Sequence, residues 1–124
     1  MWRVDYLWQG TSGNITKGTT ILEGIKKAVS KQTRFVFHEK PDKQFVNKNQ
    51  YSSYAIVVVG ELRYAKMDCD SKELRIALDG EETIKIVCKE VKYLVIIVSG
   101  RPVVTKPYVD IMEALVAAWL LVAQ

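Results

Sequence analysis

The chain has 124 residues, 48% of them hydrophobic, which is one domain's worth of sequence with enough apolar material for a real core. Its net charge of +4 comes from scattered lysines, without a run of like charges or a basic patch interleaved with aromatics; this reads as a solvated basic surface and argues against a nucleic-acid partner. No segment reaches membrane-spanning length and the opening MWRVDYLWQG lacks a signal-peptide core, so the chain taken by itself reads as cytoplasmic, with no membrane partner.

In chain order, the first predicted element is a helix from about Thr20 to Ser30. Ile21, Leu22, Ile25 and Val29 fall on one helical face, and Thr20 with Glu23 has the spacing of a capping box. Arg34 to His38, RFVFH, is predicted as a short strand ended by Lys40-Pro41-Asp42. Asp42 to Lys48 follows as a short helix burying Phe45 and Val46. Tyr54 to Gly60, YAIVVVG, is the strongest strand signal, being β-branched, uncharged and closed by glycine. The polar stretch Glu61 to Asp70 then reads as a loop leaving that strand's carboxyl end, and Leu74 to Leu78 alternates weakly.

Asp79-Gly80 turns the chain into a helix expected from about Glu82 to Val91, where Ile84, Val87, Cys88 and Val91 recur at helical spacing. Tyr93 to Ser99 is the next buried strand. Pro107 suits the first turn of a helix running to about Glu113. Periodicity alone leaves Ala114 to Leu120 open between helix and strand; the alternating order of elements favours strand. The expected architecture is α/β, a three-layer α/β/α sandwich of flavodoxin-like type with a mostly parallel sheet, incomplete at its carboxyl end. In such sheets ligands sit beyond the carboxyl ends of the strands. The loop after Gly60 therefore lies at the expected site edge.

Other chemistry is sparse. Cys69 and Cys88 have no metal-ligand spacing and no CxxC pairing, so they read as free thiols, and no metal site is expected. His38 is the sole histidine and reads as structural or solvent-exposed. No phosphate-cradling glycine motif is present, and no cofactor is expected. Arg101 reads as a turn arginine, and Trp119, inside an apolar run, as core.

Five blocks in order carry a resemblance: Trp8-Gln9-Gly10, GTTILE at 18–23, YAIVVVGE at 54–61, SGRPVV at 99–104 and ALVAAWL at 114–120. Together they resemble the second, sheet-and-helix domain of family 3 glycoside hydrolases, especially plant β-glucan exohydrolases and β-glucosidases, over nearly the whole of 1–124 as a single partial domain. The resemblance implies a β-glucoside or β-glucan substrate and a family that is typically secreted or in the cell wall. It also implies a retaining site shared between two domains: a barrel supplies an aspartate nucleophile, and the sheet domain a glutamate acid/base from the loop after YAIVVVGE. Two carboxyl groups must flank the scissile bond, one to form the glycosyl-enzyme and one to protonate the departing oxygen.

At 124 residues the chain is shorter than the roughly 200 residues of the smallest such barrels, so the nucleophile would come from a barrel partner. The family's loop reads roughly GE-x-P-Y-x-E, where the second glutamate transfers the proton. Here the stretch is Gly60-Glu61-Leu62-Arg63-Tyr64-Ala65-Lys66, and Lys66 stands at the acid/base position. A lysine with a reference pKa of about 10.4 is a poor proton shuttle near neutrality. Asp68 or Asp70 would substitute only if the loop refolds. Glu61 matches the family's other loop glutamate, which is not read as the proton donor, so no catalytic residue is assigned.

Trp8 matches the family tryptophan that clamps the glucosyl unit, and is the candidate substrate-binding residue; packing near an edge strand is its alternative. Relatives tend to pair the position of Cys88 with a cysteine five residues on, where this chain has Tyr93. The expected function is that of a β-glucosidase-type second domain that is inactive alone. The alternatives are a half-site docking a barrel partner and a non-catalytic α/β binding module with an anionic ligand near Arg63 and Lys66.

Overall fold

A computed structural model of the protein describes residues 19–60, 74–76, 79–88 and 91–119. Four helices and three strands alternate along it. Helix α1 spans Ile21–Ala28, α2 Lys43–Lys48, α3 Gly80–Val87 and α4 Lys106–Val109, while strands β1, β2 and β3 span Ala55–Gly60, Tyr93–Val98 and Ala114–Ala118. None of the described helices is long and apolar enough to cross a membrane.

The capping box is present in full. The Thr20 hydroxyl accepts from the Glu23 backbone N–H at 3.1 Å, and the Glu23 carboxylate accepts from the Thr20 N–H at 2.8 Å. Two otherwise orphaned donors at the start of α1 are thereby satisfied. Helix α2 is capped by Asp42, whose Oδ1 accepts from the Phe45 N–H at 2.7 Å. Pro107 sits in the first turn of α4, as its missing N–H allows.

The strands form one parallel sheet in the order β1-β2-β3. Val57 lies beside Val95 and Leu115, and Val59 beside Ile97 and Ala117, so alternate residues of the three strands share a face. Right-handed crossovers that step the same way twice place both connecting helices on one side of the sheet. The core agrees: Val57, Val59, Tyr93, Val95 and Ile97 pack with Ile84 and Val87 of α3, Tyr108 of α4 and Val46 of α2. Ile84 and Val95 are completely enclosed. The Lys85 ammonium lies 5.6 Å from the Tyr108 ring centre, linking α3 to α4. On the opposite face Val58, Leu94, Ile96 and Val98 are half-buried and Ile56 and Val116 are exposed. The α/β class with parallel strands stands as expected.

Four local expectations are corrected. Arg34 to His38 forms no strand and joins no ladder among the described residues, and Phe35, Val36 and Phe37 are exposed. Its β-prone composition does not suffice, because a strand is stabilised by cross-strand pairs and this one has no described neighbour. Helix α3 starts at Gly80 and ends at Val87, earlier at both ends than expected. Gly80 packs against β1 so closely that a Cβ there would stand 3.2 Å from Val59 Cβ; periodicity cannot report such a contact. Helix α4 stops at Val109 with Asp110 as its cap, leaving a turn before β3 at Ala114. Trp119, expected in the core, is 54% exposed, because it lies one residue beyond the end of the edge strand. Of the weak alternation at 74–78, the described residues 74–76 form no strand.

Candidate functional site at the carboxyl edge of the sheet

Gly60, Val98 and Ala118 are level with one another, so the three strands end on a common line. The chain leaves that line at three points: into residues 61–73 after β1, into Ser99–Thr105 after β2, and at Trp119 after β3. Parallel strands bring the loops that bind ligands to this edge.

The β2 exit is a pinned turn. Ser99 is buried; its hydroxyl donates to the Arg101 carbonyl at 2.5 Å and accepts from the Arg101 N–H at 3.2 Å. A serine hydroxyl that closes a turn on the residue two ahead fixes the backbone there without a ladder. Arg101 is therefore a turn arginine, as read from the sequence, with its side chain half-buried.

The chain is held on both sides of residues 61–73. It departs from buried Gly60, and the chain is held again at Leu74, whose carbonyl accepts from the Val104 N–H at 2.6 Å. Ile76 is buried and packs beside Gly80 and Val59. The backbone on either side of 61–73 is thus tied to the β2 exit and to the top of β1. Sequence reasoning did not foresee these ties. The Ser-Gly dipeptide was a signal for the turn; the Leu74–Val104 bond joins distant residues and left none.

Lys66, Glu61, Arg63, Asp68, Asp70, Cys69, Trp2 and Trp8 all lie outside the described residues. His38 is exposed, as expected, with its ring 4.8 Å from that of Phe45. Cys88 is a free thiol. No group of three acidic, histidine or cysteine side chains among the described residues could hold a metal ion.

The shifted titrating groups offer no proton shuttle. Burial pushes the Cys88 thiol upward. Burial and then the adjacent Cys88 push the Tyr93 hydroxyl well above the usual tyrosine range. Glu81 beside it, then burial, push Tyr108 up. All three shifts lead away from neutral pH, whereas a general acid or base works best near it.

One open groove, about 420 Å³, lies between the starts of α2 and α3 and is lined by Lys40, Asp42, Lys43, Asp79, Glu82 and Ile86 among others. Its charges are mixed in sign, Lys40 and Asp79 pair at 3.6 Å, and Asp42 is committed to its cap.

No curated protein matches the chain. The profile of the glycosyl hydrolase family 3 C-terminal domain matches residues 4–124. With a parallel sheet whose strands end level and helical crossovers between them, the chain belongs to the glycosyl hydrolase family 3 C-terminal domain family.

Proposed function

We propose that residues 1–124 act as one domain, the sheet-side half of a β-glucosidase or β-glucan exohydrolase type of site, holding a sugar without donating the catalytic proton. The family implies a carbohydrate substrate and a catalytic partner domain. The observation that carries the reading is Gly60-Glu61-Leu62-Arg63-Tyr64-Ala65-Lys66, which presents an ammonium where a retaining glycosidase needs a carboxylic acid. Protonating the leaving oxygen requires a group that gives up its proton near the working pH and then serves as base. An ordinary lysine holds its proton too tightly for the second task. Its positive charge would also oppose the developing oxocarbenium ion.

What remains for this domain is recognition. Trp8 supplies the large aromatic face suited to the C–H face of a glucosyl ring, and the backbone is held at Gly60 and at Leu74, on either side of residues 61–73. A barrel partner would supply the second aromatic and the aspartate.

Titration of the chain with a short β-glucan oligosaccharide, followed by tryptophan fluorescence, tests this. A saturable change that Trp8→Phe abolishes and Trp119→Phe retains is the expected result. No change at any sugar concentration, or a change indifferent to Trp8, contradicts it.

A further inference from the structure

The His38 ring is held at two points. Its Nδ1 accepts from the Lys40 backbone N–H at 3.2 Å, and the ring lies 4.8 Å from that of Phe45, tilted by 47°. Phe45 belongs to α2 and packs against the core, and its own N–H donates to the Asp42 cap. The segment from Glu39 to Asp42 is thus fastened to α2 at both ends, by the imidazole and by the cap. Lys40, within it, pairs with Asp79 at the start of α3, and both line the groove between the two helices.

A ring nitrogen accepts a hydrogen bond only while it carries no proton. Histidine is the side chain that ordinarily changes charge between about pH 5 and 8. In the imidazolium both nitrogens donate, so Nδ1–H and the Lys40 N–H become two donors aimed at one another. The negative face of an aromatic ring attracts a cation, which keeps the charged ring on Phe45. Lys40 is therefore the partner that leaves.

We propose that His38 is a proton-operated latch on this groove. Neutral, it holds Lys40 and, through it, the Lys40–Asp79 strap between the starts of α2 and α3; protonated, it releases both. Glu39 is its charged neighbour in sequence, and the charges lining the groove are Lys40, Asp42 and Lys43 on one side and Asp79 and Glu82 on the other. Asp42 stays on its cap. Lys40 and Asp79 form an exposed pair, and such pairs are weak, so this one follows the backbone that carries Lys40.

Nitrogen–proton NMR of the full chain, titrated across the range in which histidine changes charge, tests this. His38 is the sole histidine, so its ring signal gives the midpoint directly. Below that midpoint the Lys40 amide should exchange with solvent about two- to tenfold faster, relative to its intrinsic rate, as loss of one ordinary hydrogen bond implies. The Asp79 amide should shift at the same midpoint. His38→Asn keeps a side-chain acceptor two residues before Lys40 but does not titrate, and should hold the Lys40 amide protected at every pH. His38→Phe keeps a ring for Phe45 without an acceptor, and should leave that amide fast throughout. A Lys40 amide that changes in shift but not in exchange reports the nearby charge alone and overturns the proposal. An Asp79 amide indifferent to the midpoint, or pH-dependent Lys40 exchange that persists in His38→Asn, overturns it as well. If a variant fails to fold, the wild-type titration decides by itself.

Discussion

Tyr93 shows how one side chain can set a pH limit on the fold. Its residue is 3% exposed, and among the described residues its hydroxyl meets no nitrogen or oxygen partner, only the weakly bonding Cys88 thiol. A buried hydroxyl left without a partner costs about 1–3 kcal/mol. Tyr93→Phe keeps the ring and removes that group, so it should raise unfolding free energy by about 1 kcal/mol, read as a higher urea midpoint at unchanged slope. The pH dependence follows from the same burial. The folded hydroxyl is pushed above the ordinary value of 10.0, so the unfolded chain releases this proton first. Stability from this group is complete below pH 10 and is lost as pH rises beyond it. Tyr93→Phe should flatten that alkaline decline; a variant with the wild-type slope would show that Tyr93 is not its source.

Residue-scale features were legible where their causes are local. The Thr20 and Glu23 capping box spans a single turn, and the sequence spacing suffices to place it. Trp119 was misread because an apolar run does not say whether its last member passes the end of an edge strand. Lys66 lies outside the described residues, so its reading stays a proposal drawn from the loop sequence.

Among the elements, α3 owes its position to a close approach. A Cβ on Gly80 would stand 2.7 Å from Ile76 Cγ2 and 3.2 Å from Val59 Cβ. Gly80→Ala should therefore push α3 away from β1 and destabilise the fold by about 1–3 kcal/mol, the usual cost of overpacking. Gly24 in α1 has nothing within 4 Å of its would-be Cβ, and Gly24→Ala should stabilise by about 0.4–1 kcal/mol through lost chain entropy and better helix propensity. Opposite shifts in chemical-denaturation midpoint check the pair, and equal shifts contradict it. The contrast explains why β1, β2 and α1 were readable while the start of α3 was not. Hydrophobic period marks an element's existence, but Gly80 begins its helix because of what β1 presents. Arg34 to His38 fails for the same reason in reverse: its composition favours strand, and pairing, which is non-local, is missing among the described residues.

At the scale of the whole molecule, the described core lies on one face of a parallel sheet, and the carboxyl ends of its three described strands are level. The order of alternating elements was enough to foresee parallel pairing. Of the ties that hold that edge, the Ser99 to Arg101 turn is local, whereas Leu74 to Val104 is set by tertiary approach and carries no sequence period. The central claim is that this domain brings recognition to a glycosidase site and leaves the chemistry to a partner. Steady-state hydrolysis of an aryl β-glucoside by the purified 124-residue chain tests it most directly, alongside Lys66→Glu. Both should release aryl alcohol no faster than buffer, since restoring a general acid, itself worth about 10²–10⁴-fold, does not supply a nucleophile. Turnover by the wild-type chain above the buffer rate would contradict the account.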